Sequence, residues 1–170
     1  ASNTQPWYFV VADDGAVIAP LADAVETAVE KVVAGIDSAR GKKEMEAYAG
    51  YFTFFREAPA IIAVCMAPYR ALLARLLKRY APEIGERIGR NASDQSVAAA
   101  IVNLMLAAHA LGYGSVWMTG PLFAKDELEK TLDAPEGYEL AALVAVGRPA
   151  EPVPEELPDR KNLDEIMRYL

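Results

Sequence analysis

From Val97 to Leu111 the chain reads VAAAIVNLMLAAHAL, a run in which only Asn103 and His109 are polar. A helix with one wet face repeats its apolar residues every three or four positions, whereas one that is apolar nearly all round must be buried on several sides. The run falls short of the ~18 apolar residues that a bilayer requires. It is therefore expected to cross the interior of a folded domain. Its alanines let another helix approach closely, so a subunit interface is expected on it. Ser93 with Gln95 and Ser96 makes its start, and Gly112 is placed to end it.

The other elements arrange themselves around this helix. Trp7–Val11 is a short aromatic and β-branched strand, closed by the turn formers Asp13, Asp14 and Gly15. Leu21, Val25, Ala28, Val29, Val32 and Val33 follow at helical spacing as far as Ile36. A polar connection over Asp37–Lys43 leads to an aromatic helix, Glu44–Phe55, stopped by Pro59. Ala60–Met66 reads as a buried strand. Leu72, Leu73, Leu76 and Leu77 stripe a basic helix, and Ala81–Arg90, punctuated by Pro and Gly, reads as a connection. After the central helix come a strand at Ser115–Met118, a turn at Thr119–Pro121, a helix over Lys125–Leu132, and the strand Tyr138–Val146, buried on both faces. From Arg148 a proline-bearing tail leads to a short helical pattern, Leu163–Tyr169. With 170 residues, 53% of them hydrophobic, this is one domain with a real core. The mixed order of elements predicts an α+β sandwich.

Charge and rare residues exclude several functions. A net charge of -7 opposes nucleic-acid binding, which needs a positive surface; Arg70–Arg79 and Arg160–Lys161 are only local exceptions. One cysteine, Cys65, rules out an internal disulfide and suits a reducing cytoplasm. With the lone histidine, His109, it leaves too few soft ligands for zinc, and no ligand spacing suggests another metal. Neither a membrane span nor an export signal is visible. His109 is expected to be a satisfied core or interface residue rather than a proton donor, and Cys65 a small buried hydrophobe. The strand begins six residues into a chain whose first residue is Ala1, so upstream sequence is expected to be missing.

Three segments carry chemistry. In Ser2-Asn3-Thr4-Gln5-Pro6-Trp7 the polar side chains can address the edge of a flat heteroaromatic ring, with Pro6 stiffening the entry to the strand. Chemistry alone favours an ordinary polar strand entry. In Gly112-Tyr113-Gly114-Ser115-Val116-Trp117-Met118-Thr119-Gly120-Pro121 the glycines allow close backbone approach to a ligand. No strand precedes this segment and Trp117 stands where a third glycine would, so it is not a dinucleotide fingerprint of the doubly wound kind. In Asp159-Arg160-Lys161-Asn162-Leu163 two adjacent cations can neutralise a phosphate, although a solvated charge pair is the plainer reading. Among Tyr48, Tyr51, Phe52, Phe54 and Phe55 most are expected in the core, with Tyr51 or Phe54 lining a pocket for a planar substrate.

Together these segments resemble the nitroreductase family. The first is similar to that family's Asn-x-Gln-Pro-Trp motif, the second to its helix end leading through a strand to a glycine turn, and the third to its C-terminal basic pair. In the third, Asn162 replaces the usual proline. The resemblance covers nearly the whole chain except Pro68–Arg90, and the family's N-terminal Arg-rich segment, its main grip on the FMN phosphate, is missing. It implies a three-layer α+β sandwich, its central, mostly antiparallel sheet flanked by helices, paired into a homodimer with FMN at the interface. Residues 1–147 would form the FMN-binding domain and 148–170 an extended arm of it.

The resemblance further implies that Asn3 and Gln5 address the ring edge, that Thr119 and Gly120 hold flavin N5 through backbone contact, that Ser2 and Met118 belong to the same cofactor site, and that Arg160 or Lys161 meets the phosphate. NADH or NADPH would supply hydride through N5 to a planar, electron-poor acceptor such as a nitroarene or quinone, with no catalytic side chain required. Dehalogenating or flavin-fragmenting chemistry, or a flavin-free helical dimerisation module, are the alternatives.

Overall fold

The computed structural model describes residues 2–150 and 159–169. Its described elements are β1 (Trp7–Ala12), α1 (Gly15–Ala34), α2 (Ala39–Thr53), β2 (Ala60–Met66), α3 (Leu72–Tyr80), α4 (Pro82–Ala110), β3 (Gly114–Met118), α5 (Lys125–Thr131), β4 (Glu139–Gly147) and α6 (Leu163–Ile166). Short 3-10 turns at Phe54–Glu57 and Gly120–Ala124 follow α2 and β3. The strands form one sheet in the order β1-β2-β4-β3, antiparallel throughout.

Alternation along the strands divides the core in two. Ile61, Ala63 and Cys65 of β2, with Leu140 and Leu143 of β4, face Ile18, Leu21 and Val25 of α1, Phe55 and Leu128 of α5. Val64 and Met66 of β2, with Ala142 and Val144 of β4, face Val97 and Ile101 of α4. Helices therefore cover both faces of an antiparallel sheet, which is the three-layer α+β arrangement expected. Between Val64 and Cys65 the register skips Ala141 of β4, a bulge that exposes neither β2 residue.

Several expected loops are helical. Asp14 does not close a turn; its carboxylate accepts the Ala16 N–H at 2.8 Å, capping α1 six residues ahead of Leu21. The Ser38 hydroxyl accepts the Gly41 N–H at 3.0 Å and starts α2 inside the expected polar connection. The largest correction concerns Ala81–Arg90. Pro82 stands at the start of α4, where its missing N–H costs no helix bond, so α4 runs for 29 residues.

The glycines of that stretch are contact points rather than breakers. A Cβ on Gly85 would lie 2.8 Å from the backbone of Leu77 and Lys78, so the absent side chain is what lets α3 and α4 pack together. Conversely, the expected C-terminal helix is only Leu163–Ile166, held by a capping box between Asn162 and Glu165. Of the proline-bearing tail, residues 151–158 lie outside the described residues.

The burial expected around the Val97–Leu111 run is reached on one side only within a single chain. Val97 and Ile101 are buried, while Val102 and Leu106 stand 47% and 61% exposed, because the sheet lies against one side of this part of α4.

Candidate functional site

The strand order sets two of the three motifs on the two edge strands of the sheet. Trp7 pairs with Met66 and Met66 with Glu139, so β1 begins where β2 ends and β4 begins. β3 runs antiparallel to β4 and finishes toward that same end at Met118, opposite Leu143. Ser2, Asn3 and Gln5 thus precede one edge strand, and Met118, Thr119 and Gly120 terminate the other. β2 and β4 lie between them, a lateral gap of about 14 Å at ordinary strand spacing.

The N-terminal loop is tightly specified. Pro6 is buried, and its carbonyl accepts the Ala67 N–H at 2.7 Å. Ser2, Asn3 and Gln5 all adopt positive φ, at 51°, 48° and 45°. All three are exposed, so the amides of Asn3 and Gln5 are free of the core and open to a ligand. The Ser2 hydroxyl lies 2.8 Å from the hydroxyl of Tyr69.

At the opposite edge the two glycines have different physical reasons. Gly112 has φ +81°, and its turn lets Tyr113 N–H reach the Ala108 carbonyl at 2.9 Å, a helix termination that requires glycine. Gly120 is glycine because of a neighbour: a Cβ there would meet the Phe52 ring, whose Cε1 would be 2.9 Å away. Phe52 in turn packs on Phe123, centroid to centroid 5.1 Å, so α2 is keyed into the turn after β3. Thr119 is exposed. As the first residue of a 3-10 turn, Gly120 has an N–H with no acceptor inside that turn. Met118 itself is buried, so it can meet a ligand only through its backbone.

Tyr51 and Phe54 line an apolar pocket of about 600 Å³ with Ala47, Gly50 and Val116. Both are well exposed, whereas Phe55 is fully buried and Phe52 half-buried, which sorts the aromatic stretch into wall and core. Arg160 and Lys161 stand just before α6, and every residue from 159 to 169 is exposed in the single chain. His109 is exposed near the end of α4 and not a core residue. Cys65 is fully buried, and burial pushes its thiol up to about 11, with a smaller push from Glu129. Among the described residues there is no cluster of three metal-ligating side chains, and no helix is long and apolar enough to cross a membrane.

Sequence reasoning missed Phe52, Tyr69 and Ser93. Their importance lies in contacts across the chain that leave no local signal. Ser93, read as a helix start, is buried inside α4 and donates to the Ala67 carbonyl at 3.1 Å. The residues present fit the ring system of FMN: exposed amides for a heteroaromatic edge, an available backbone N–H at the glycine turn, and an apolar wall.

Comparison with known proteins agrees with this fold. A protein of Archaeoglobus fulgidus, provisionally named NADH dehydrogenase/NAD(P)H nitroreductase, is 28% identical over 99% of this chain and 76% of its own length. A BluB-like flavoprotein from Clostridium difficile 630 superposes with a TM-score of 0.88 at 29% identity, covering 100% of this chain and 82% of that one. An iodotyrosine deiodinase bound to FMN and 3-iodo-L-tyrosine shares the fold with a TM-score of 0.65 at 24% identity, over 100% of this chain and 79% of that one. The setting is that of flavin oxidoreductases in general. The sequence pattern of the family itself matches residues 1–148, and the chain belongs to the nitroreductase family.

Proposed function

We propose that the chain is an FMN-dependent oxidoreductase, acting as a cytoplasmic homodimer, that takes hydride from NADH or NADPH and passes it to a small, planar, electron-poor acceptor such as a nitroarene or quinone. The observation that carries this reading is that, in a chain of this family, the exposed Ser2–Gln5 amide loop enters one edge strand and the Thr119–Gly120 turn leaves the other. When bound, FMN supplies hydride uptake and release at N5.

The chain's own residues hold and shield the ring. Asn3 and Gln5 hydrogen-bond its polar edge, with Ser2 beside them. The backbone at Met118, Thr119 and Gly120 presents an N–H toward N5. Tyr51 and Phe54 offer the acceptor an apolar surface that excludes water, and Arg160 and Lys161 neutralise the phosphate. The exposed Val102 and Leu106 of α4 support pairing with a second copy, since an apolar stripe of this kind is normally covered.

The test is the visible spectrum of the purified chain, before and after adding FMN and removing the excess. Retained flavin bands that bleach with NADH or NADPH under argon, and return when a nitroarene or quinone is added, are the expected result. A colourless chain that takes up no FMN overturns the reading and favours a flavin-free dimerisation module. The likeness to a BluB-like flavoprotein favours one further reading, a flavin enzyme of different reaction. Retained flavin without turnover of nitroarenes or quinones would select it, with halogenated aromatics and flavin breakdown as the next assays.

A further inference from the structure

Left-handed backbone strains a residue with a Cβ, and the loop before β1 holds three such residues: Ser2, Asn3 and Gln5. Gln5 also precedes a proline, which disfavours helical backbone and leaves its φ of 45° still less natural. Strain of this kind persists only where the surroundings over-determine it. One short segment directly after β2, Ala67–Tyr69, braces this loop. Ala67 N–H donates to the Pro6 carbonyl at 2.7 Å, and the Ala67 carbonyl accepts the Ser93 hydroxyl at 3.1 Å. Tyr69 Cβ lies 3.9 Å from where a Cβ on Gly89 would sit, so its stem rests on α4 where that helix has no side chain. From that seat the Tyr69 hydroxyl reaches the Ser2 hydroxyl at 2.8 Å, across 67 positions of sequence.

We propose that Tyr69 is a positioning residue: its hydroxyl latches Ser2 and thereby holds the exposed amides of Asn3 and Gln5 at the orientation in which they bind a flat heteroaromatic ring. This rests on the flavin reading for the identity of the ring. Tyr69 touches the loop and not the ring, and α4 is the rigid body against which the loop is set, through Gly89 and Ser93. The latch binds at the hydroxyl alone, so removing one oxygen should loosen the loop without disturbing the sheet.

The experiment compares the full chain with Tyr69→Phe, Ser2→Ala and the double variant. FMN dissociation constants come from flavin fluorescence titration, and ¹⁵N heteronuclear NOE values at Asn3–Gln5 are read without FMN. Each single variant should weaken FMN binding about fivefold, the weight of one hydrogen bond, and the double variant no more than either single. NOE values at Asn3–Gln5 should fall while those of β1 and β2 and the melting temperature stay unchanged, which a merely structural role would not produce.

Unchanged affinity and unchanged loop NOE values in Tyr69→Phe overturn the proposal, as do two single effects that simply multiply. A wild-type chain that binds no FMN overturns the flavin reading instead, and the loop NOE values alone then decide the latch.

Discussion

The two faces of the sheet are finished differently. On one, α1, α5 and the 3-10 turn carrying Phe55 close over β2 and β4, burying Leu21, Phe55, Leu128 and Leu143 completely. On the other, α4 alone covers Val64, Ala142 and Val144, and its far side leaves Val102 and Leu106 in solvent. Both faces use the same aliphatic vocabulary. The first face holds the fold together within a single chain, and the second is only half-covered by it. An apolar residue therefore carries different information in the two regions: stability in the first and, in the homodimer proposed above, assembly in the second.

The comparison can be broken at several strengths. Phe55→Ala removes a large side chain from the closed face and should cost about 3–5 kcal/mol in chemical denaturation. Cys65, on the same face, gives a pH-dependent effect. Burial holds its thiol up to about 11, so above about pH 9 the unfolded chain loses its proton first and stability falls as pH rises toward 11. The stability difference between wild type and Cys65→Ala should shrink by about 2–3 kcal/mol across that window. A difference independent of pH would show that the thiol is not shielded.

Gly120→Ala drives a methyl into the Phe52 ring and should cost about 1–3 kcal/mol, with recovery in the Phe52→Leu background. No recovery would mean that the glycine answers to something other than Phe52. On the half-covered face, Leu106→Glu should change the stability of a single chain by no more than about 0.5 kcal/mol, yet turn a dimer into a monomer in sedimentation velocity. If Leu106→Glu instead unfolds the chain, or leaves the dimer intact, the contrast between the faces fails.

Legibility followed the range of the interaction. β2 was read at its observed bounds, Ala60–Met66, because a short β-branched run between breakers is a local signal. The start of α4 was misread by about a dozen residues, since Pro82, Gly85 and Gly89 look like punctuation in one dimension. Gly85 stands within a helix because Leu77 packs against it, and only the folded chain supplies that neighbour. The aromatic stretch, expected to lie mostly in the core, buries only Phe55, with Phe52 half-buried, and leaves Tyr48, Tyr51 and Phe54 exposed, because α2 has little packed over its outer side. Phe52 was not singled out, because its role depends on Gly120.

By itself the sequence determined the strands, the apolar central helix, the absence of a disulfide, and the polar loop and glycine turn that mark the family. Each is written in residues a few positions apart, where periodicity and turn chemistry act. Tertiary structure alone decided that Gly120 makes room for Phe52, that Tyr69 reaches Ser2, and that the loop and the turn belong to the two edge strands. These are matters of strand order and close contact between distant segments. Packing and hydrogen bonding act on distance in space, and no local pattern records which remote segment will fill it.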